Sequence, residues 1–191
     1  MAKLYFRYGA MGSSKTAQAL ITKFNYEERN MRVMFIKPEI DTRDGKDIVR
    51  SRIGLYAKAI AIPADVNVYE LYKQNYADCK VVICDECQFL TPEQVDQLDL
   101  ITMDFNVPVL CYGLRTDFTT QLFPGSKRLF EIAHSISEVK SVCNCGDKAI
   151  VNARLDDNGN VVYSGDQVML GGNDRYEAMC RKCWLKHKKE Q

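Results

Sequence analysis

The chain has 191 residues, of which 46% are hydrophobic and 27% are charged, and its formal net charge is +1. This length suits one domain of ordinary size with a small appendage, and the composition excludes a disordered chain. The near-neutral charge argues against a dedicated nucleic-acid binder, and no apolar run approaches the ~18 residues of a membrane span. Because the N-terminal apolar run is also too short for a signal peptide, we expect a cytoplasmic protein without a membrane partner.

The first predicted elements are a short strand over residues 4–8 and a helix over residues 15–30, with a loop of small residues between them. This order is typical of phosphate-binding loops (P-loops), in which consecutive backbone N–H groups and a helix N-terminus face a phosphate. Lys15 would then reach the β- and γ-phosphates, and the Thr16 hydroxyl would bind Mg²⁺. The predicted loop comprises Gly9, Ala10, Met11, Gly12, Ser13, Ser14, Lys15 and Thr16.

Ser14 departs from the P-loop pattern, because it occupies the place of the second glycine. Serine avoids positive φ, so either Ser14 has a negative φ or Gly12 takes the strained conformation. The alternative interpretation is a Gly/Ser turn that ends a strand and caps a helix, with Lys15 merely solvated.

Strands and helices continue to alternate along the chain, which predicts an α/β fold: a P-loop parallel sheet flanked by helices. Thr91 and Pro92 predict the N-cap and first turn of one of these helices. Four cysteines lie in or beside apolar segments, where a free cysteine usually behaves as a small buried hydrophobic residue. They are Cys79, Cys84, Cys87 and Cys111. The predicted elements are strands at 31–37, 58–62, 80–85 and 107–113, helices at 66–76, 92–104 and 126–134, and a mobile basic loop at 41–55.

Two acids follow the apolar run that ends at Cys84. An acid at the carboxyl end of a buried parallel strand is the usual ligand that orders Mg²⁺ beside a P-loop, and Asp85 fits that role. Glu86 could act as a base toward a hydroxyl or a water. The alternative is that both acids only cap the turn between strand and helix.

Four cysteines form two close pairs, Cys143 with Cys145 and Cys180 with Cys183. In a reducing compartment, paired thiols more often bind metal than form disulfides, and four sulfurs suit a closed structural zinc site. A redox pair set is the alternative, and His187 is interpreted as a surface residue. We expect the chain to divide into a nucleotide-binding unit at 1–139 and a zinc-binding module at 140–191.

The motifs together resemble a thymidine kinase of the zinc-containing class, a P-loop deoxynucleoside kinase. The resemblance runs from Leu4 to about Cys183 and depends on the order and spacing of the motifs rather than on any one of them. They are the P-loop, residues 85–89 (DECQF), residues 111–118 (CYGLRTDF), the paired cysteines and residues 171–176 (GGNDRY).

The resemblance implies transfer of the γ-phosphoryl group of ATP to the 5′-hydroxyl of thymidine, giving thymidine monophosphate in nucleotide salvage. It implies that Glu86 accepts the hydroxyl proton, that Asp85 orders Mg²⁺ bound with ATP, and that Arg43 lies near the phosphates. Gln88 follows in the same motif. The zinc ion would be structural, and the family expectation includes a homotetramer and feedback by thymidine triphosphate (dTTP).

The resemblance also places the thymine base under a substrate-covering loop that runs from about 163 to 172. For each apolar member of this pocket, ordinary core packing is the alternative. The implied nucleoside-binding residues are Met11, Phe89, Leu114, Phe118, Met169, Leu170, Gly171, Gly172 and Tyr176.

Two other functions use the same P-loop and acids. A zinc-bearing P-loop ATPase that acts on nucleic acid would use Glu86 to activate water, but the net charge of +1 argues against it. A non-catalytic nucleotide-binding scaffold would leave Glu86 unexplained.

Overall fold

A computed structural model of the chain describes residues 1–167 and 175–189. The first unit contains strands β1 (Leu4–Tyr8), β2 (Val33–Pro38), β3 (Ile48–Arg50), β4 (Tyr56–Lys58), β5 (Ile60–Ile62), β6 (Val81–Cys84), β7 (Val109–Gly113) and β8 (Ser135–Glu138). Its helices are α1 (Lys15–Glu27), α2 (Val68–Asn75), α3 (Pro92–Asp104) and α4 (Pro124–Ile132). The alternation of strand and helix predicted from the sequence is confirmed.

Six of these strands form one sheet in the order β5-β2-β6-β7-β1-β8, and every neighbouring pair is parallel. All residues of β6 and β7 are buried, because helices cover both faces of the sheet. The strands β1 and β6 lie on either side of β7. Since parallel strands end at the same edge, the P-loop after β1 and the acids after β6 come out side by side.

The helix α3 begins as the sequence predicts. The Thr91 side chain accepts a hydrogen bond from the backbone N–H of Gln94, the Gln94 side chain accepts one from the backbone N–H of Thr91, and Pro92 occupies the first turn. This capping box satisfies two N–H groups that the helix itself cannot pair. In the part of the chain that the structure describes, no helix is long and apolar enough to cross a bilayer.

The prediction of a loop throughout residues 41–55 is wrong in part. Ile48–Arg50 forms the strand β3, which pairs antiparallel with β4 through Val49 opposite Ala57. Val49 is 3% exposed and packs in a cluster with Ala19 and Phe35. Because one apolar side chain anchors the segment against the sheet, it folds as a hairpin beside the P-loop.

The C-terminal module contains short strands and one helix. They are β9 (Ser141–Val142), β10 (Lys148–Ala149), β11 (Val151–Leu155), β12 (Val161–Val162), β13 (Tyr176–Met179) and α5 (Arg181–Lys189). A small apolar cluster holds them together, and Ala10 of the P-loop belongs to that cluster. Trp184 of α5 is 5% exposed in this cluster, and its ring meets the Tyr163 ring edge-on at 5.0 Å. The module therefore packs directly against the P-loop.

We expect Gly125→Ala to lower the free energy of unfolding by about 2 kcal/mol. Gly125 lies in the first turn of α4, where a Cβ atom would come 2.5 Å from the carbonyl oxygen of Cys87 and 2.7 Å from that of Leu90. Both contacts are backbone, so α4 must move away from the turn that carries Gln88. Urea denaturation measures the change, and Lys127→Ala at an exposed position of the same helix is the control. Equal stability of the two variants would contradict the expectation.

Candidate active site

The P-loop follows β1 and is shaped by close approaches of the backbone. The Gly9 N–H donates to the carbonyl oxygen of Gly113 at 3.2 Å, which attaches the start of the loop to the end of β7. A Cβ atom on Gly9 would lie 2.3 Å from the carbonyl oxygen of Val139 and 2.5 Å from Ser13 Oγ. Glycine is therefore required at position 9, because there is no room for a Cβ atom.

Gly12 and Ser14 both have positive φ, 74° and 63°. Gly12 takes the strained conformation, as expected, whereas a negative φ at Ser14, the other expected possibility, is wrong. Left-handed residues alternating with ordinary ones turn consecutive N–H groups toward one concave side, as in anion-binding nests. A non-glycine residue in this conformation costs roughly 1–2 kcal/mol, so Ser14 holds local strain.

Lys15 is buried at the start of α1, with 8% of its surface exposed. Its Nζ atom donates to the carbonyl oxygens of Gly9 and Ala10, at 3.1 and 2.8 Å, and to Ser13 Oγ at 3.1 Å. Burial lowers the pKa of Lys15 to about 8, although the carboxylates of Glu86 and Asp85 act in the opposite direction. A phosphate is the kind of group that would stabilise this cation.

Asp85 lies at the end of β6 and is 3% exposed. Burial raises the pKa of its carboxyl to about 7, and the nearby charge of Glu86 adds to the effect. A hydrogen bond from the Thr16 side chain and the charge of Lys15 oppose it. The Thr16 hydroxyl and the Asp85 carboxylate are the kinds of oxygen donor that a P-loop Mg²⁺ site uses, and a divalent cation would relieve the carboxylate. The residues present therefore fit the predicted metal–nucleotide pair.

Glu86 is held by two side chains. One carboxylate oxygen accepts a hydrogen bond from Gln88 Nε2 at 2.6 Å, and the other pairs with Arg43 Nη2 at 2.5 Å. Gln88 is itself fixed, because its Oε1 accepts from the Leu114 N–H at 3.0 Å. Glu86 has a φ of 53°, so the strand turns sharply there. The carboxylate is thus oriented directly by Gln88 and Arg43, and indirectly by Leu114 through Gln88.

Arg43 belongs to a chain of alternating charges. Its Nε donates to Asp41 Oδ1 at 2.6 Å, and the other oxygen of Asp41 lies 3.5 Å from Lys37 Nζ. Lys37 is fully buried and donates to the carbonyl oxygens of Gly45 and Ile48. Lys37 and Asp41 therefore fix the root of the segment that carries Arg43. The sequence analysis identified neither residue. The feature that could have indicated Lys37 is a lysine at the end of an otherwise apolar strand.

The structure brings most of the predicted nucleotide-binding residues to one open cleft. Arg50 and Arg52 of the hairpin of β3 and β4 also line it, whereas the predicted residues Gly9, Ala10 and Gln88 do not. The predicted residues that line it are Met11, Gly12, Ser13, Ser14, Lys15, Thr16, Arg43, Asp85, Glu86 and Leu114.

The predicted nucleoside-binding residues lie in a more scattered arrangement. Phe89 meets the Phe123 ring edge-on at 5.5 Å, and Phe118 is 1% exposed. The Tyr176 hydroxyl accepts a hydrogen bond from Arg154 Nε at 3.0 Å. Met169, Leu170, Gly171 and Gly172 lie outside the described residues.

Two polar residues of β11 reach the first unit, and the sequence analysis named neither. Asn152 is 3% exposed; its Oδ1 accepts from the Met11 N–H at 2.8 Å, and its Nδ2 donates to the carbonyl oxygen of Thr116 at 3.0 Å. Arg154 is 5% exposed. The spacing of Asn152 and Arg154 could have indicated them, because residues two apart in a strand lie on the same face of the sheet.

The four paired cysteines form one cluster. All four Sγ atoms lie within 4.8 Å of one another, and those of Cys145 and Cys180 are 3.6 Å apart. A tetrahedral zinc site with ~2.3 Å bonds has its sulfurs ~3.8 Å apart, so the spacing suits such a site. Cys143 and Cys145 come from the turn after β9, and Cys180 and Cys183 from the start of α5.

The thiols of this cluster influence one another strongly. Backbone N–H groups of Cys145 and Cys180 lower the pKa of Cys143 to about 7. Hydrogen bonds with the Cys145 and Cys180 side chains raise the pKa of Cys183 to about 12. A metal bound here would displace the remaining thiol protons, since the thiolates are the ligands.

Fold and site together define a P-loop nucleotide-binding protein with an appended four-cysteine module. A family model described as thymidine kinase matches residues 2–184. The chain belongs to the thymidine kinase family.

Curated relatives match over almost their whole length. A thymidine kinase of Enterobacteria phage T4 is 48% identical over 186 residues, which cover 96% of each chain. A thymidine kinase of Coxiella burnetii is 44% identical over 185 residues, which cover 95% of this chain and 94% of the relative. Among solved structures, the Pif1 helicase from Candida albicans matches with a TM-score of 0.44 and 14% identity, covering 73% of this chain and 36% of the helicase. A score this low indicates nothing about function.

We expect Asp85→Asn to stabilise the nucleotide-free protein increasingly as the pH rises from about 4 to 7. Burial raises the pKa of Asp85 from 3.8 to about 7, so over this range the folded protein binds a proton that the unfolded chain has lost. The free energy of unfolding therefore falls as the pH rises, and asparagine removes this dependence. Melting temperatures across this range, without nucleotide or metal, measure the effect. The exposed Asp65→Asn is the control, and a constant difference between Asp85→Asn and wild type would contradict the expectation.

Proposed function

We propose that the protein is an ATP-dependent thymidine kinase that transfers the γ-phosphoryl group of ATP to the 5′-hydroxyl of thymidine, giving thymidine monophosphate and ADP in deoxynucleotide salvage. Membership of the thymidine kinase family supports the choice of acceptor. The observation that carries the proposal is the position of Glu86, which lines the same cleft as Lys15 and Asp85. Binding of a nucleotide alone would not require a second, oriented carboxylate there.

The P-loop residues bind and position the triphosphate. N–H groups of the loop and the buried Lys15 ammonium would face the β- and γ-phosphates, and Thr16 and Asp85 would hold Mg²⁺. When bound, Mg²⁺ would neutralise part of the charge on the phosphates. Phosphoryl transfer depends mainly on such positioning and charge compensation, so residues fixed by the backbone suit it well.

Glu86 would take the proton of the 5′-hydroxyl as this oxygen attacks the γ-phosphorus. Its two partners have different roles: Gln88 would orient the carboxylate, and Arg43 would compensate its charge. Because Arg43 also lines the cleft, it would lie near the transferred group, which gains negative charge during the reaction. A base held this way contributes about 10²–10⁴-fold to rate.

The nucleoside would be bound next to Leu114, among aromatic side chains. Leu114 belongs to the cleft, and its N–H orients Gln88, so the acceptor would lie beside the base that deprotonates it. Met11, Phe89, Phe118 and Tyr176 complete the described part of the proposed pocket. Residues 169–172 belong to the proposal through the family resemblance.

A structural zinc ion in the four-cysteine cluster is part of the proposal. It would tie the turn after β9 to the start of α5, and so brace the proposed module of residues 140–191, whose own apolar core is small. The family resemblance further supports a cytoplasmic homotetramer that is subject to feedback by dTTP.

We expect ADP release from ATP and Mg²⁺ to depend on thymidine and to fall by about 10²–10⁴-fold in Glu86→Gln, which removes the base and keeps the shape. Coupled detection of ADP, with and without thymidine, measures both effects. Glu93→Gln, an exposed acid in the first turn of α3, is the matched control. Equal ADP release without thymidine would instead favour an ATPase.

We expect one zinc ion per chain, lost in Cys180→Ser together with several degrees of melting temperature, since serine is a poor ligand at a thiolate site. Elemental analysis and thermal denaturation measure the two changes. Cys79→Ala, a buried cysteine outside the cluster, should keep its zinc. Full zinc content in Cys180→Ser would rule out the four-cysteine site.

A further inference from the structure

Arg154 is a buried cation with neutral groups as its direct partners. It lies in β11 of the C-terminal module and is 5% exposed. Within residues 1–167 and 175–189, no carboxylate forms an ion pair with it. Burying a charge without a counter-charge is costly, so an arginine kept at such a position needs another explanation than an ordinary ion pair.

The guanidinium group is held by neutral partners on several sides. Its carbon lies 3.7 Å from the centre of the Phe118 ring, which is close enough for stacking. Its Nε donates to the Tyr176 hydroxyl at 3.0 Å, and its Nη2 donates to the carbonyl oxygen of Gln167 at 3.4 Å. A planar group with a flat face and several donors can make all these contacts at once, which lysine cannot do.

These contacts join segments that are far apart in the sequence. Phe118 comes from the loop after β7 in the first unit, whereas Tyr176 begins β13 in the module. Gln167 is held a second time, because its side chain donates to Asp117 Oδ2 at 2.9 Å. Asp117 is 5% exposed and accepts three further hydrogen bonds from Thr119 and Gln121. Arg154 therefore lies at the centre of a fixed junction between the units.

We propose that Arg154 is a positioning residue for the nucleoside, which sets Phe118 and Tyr176 relative to each other. It acts through these two rings, and the Asp117 and Gln167 pair keeps the junction in register. This inference rests on the proposed function, since both rings are residues of the proposed nucleoside pocket. According to this inference, binding of the acceptor depends on a contact between the two units. The P-loop and Glu86, by contrast, belong to the first unit alone.

The test compares Arg154→Met and Arg154→Lys with wild type in thymidine-dependent ADP release. We expect both variants to raise KM for thymidine about tenfold, with KM for ATP within about twofold of wild type, because misplaced rings weaken only the acceptor site. Lysine keeps the charge but lacks the flat face and the fork of donors, so it should not rescue binding. Thymidine KM at the wild-type value in either variant would overturn the inference.

A second readout is the coupling between Arg154 and its hydroxyl partner. Tyr176→Phe removes the acceptor of the Nε hydrogen bond, so the double variant Arg154→Met/Tyr176→Phe should have the same thymidine KM as Arg154→Met alone. Fully additive effects would show that the two residues act independently, and the inference would fail. Arg175→Met, which removes an exposed arginine beside Tyr176, is the matched control and should leave both KM values unchanged.

Zinc content and melting temperature of each variant separate positioning from folding. Should Arg154→Met lose zinc or unfold, Arg154→Lys carries the test with the same criteria; unfolding of both would show a purely structural residue and overturn the inference. The proposed function is judged on wild type alone. Wild-type turnover that does not depend on thymidine refutes the proposed function, whereas thymidine-dependent turnover with unaltered KM values in the variants refutes only the inference about Arg154.

Discussion

Charge compensation at one edge of the sheet is the constraint on which the site depends. Lys37, Asp41, Arg43 and Glu86 form a run of alternating charges, linked by contacts of 2.5 to 3.5 Å. Removing one member would leave its neighbours partly desolvated and unbalanced, which costs more than the pair itself gains. The run begins inside the sheet, at the fully buried Lys37, and ends in the open cleft. The segment that bears Arg43 is therefore tied electrostatically to the ends of β2 and β6.

A different kind of attachment joins the C-terminal module to the same cleft. Asn152 and Arg154 share one face of β11, and each contacts the first unit through neutral partners: a backbone N–H and a carbonyl for Asn152, an aromatic ring for Arg154. Directional hydrogen bonds and ring stacking determine the relative orientation of the groups they join more than they add to the free energy of unfolding. Such contacts suit the role proposed for the module at the acceptor end of the site, and the charged run suits the role proposed for it at the phosphate end.

Local patterns in the sequence were enough to predict most elements of the first unit and the groups at their ends, but not β3 or the edge strand β8. The apolar runs of β6 and β7, the cap at Thr91, and the positions of Lys15 and Asp85 after their strands all follow from such patterns. The conformation of Ser14 did not follow, because packing of the loop overrides the preference of serine for negative φ. The roles of Lys37, Asn152 and Arg154 did not follow either. A polar residue in a short strand usually faces solvent, and only the tertiary structure supplies the partners that allow its burial.

The aromatic contact in the cluster around α5 has a practical consequence. The chain contains a single tryptophan, and Trp184 lies in the module, between the Tyr163 ring and the guanidinium of Arg181. Its indole N–H has no hydrogen-bond partner among the described residues, and the side chain is 5% exposed. Tryptophan fluorescence, excited at wavelengths where the ten tyrosines do not absorb, therefore reports on the module without a label, while circular dichroism reports mainly on the sheet and its helices. The molecule carries its own optical probe for distinguishing loss of the module from loss of the whole fold.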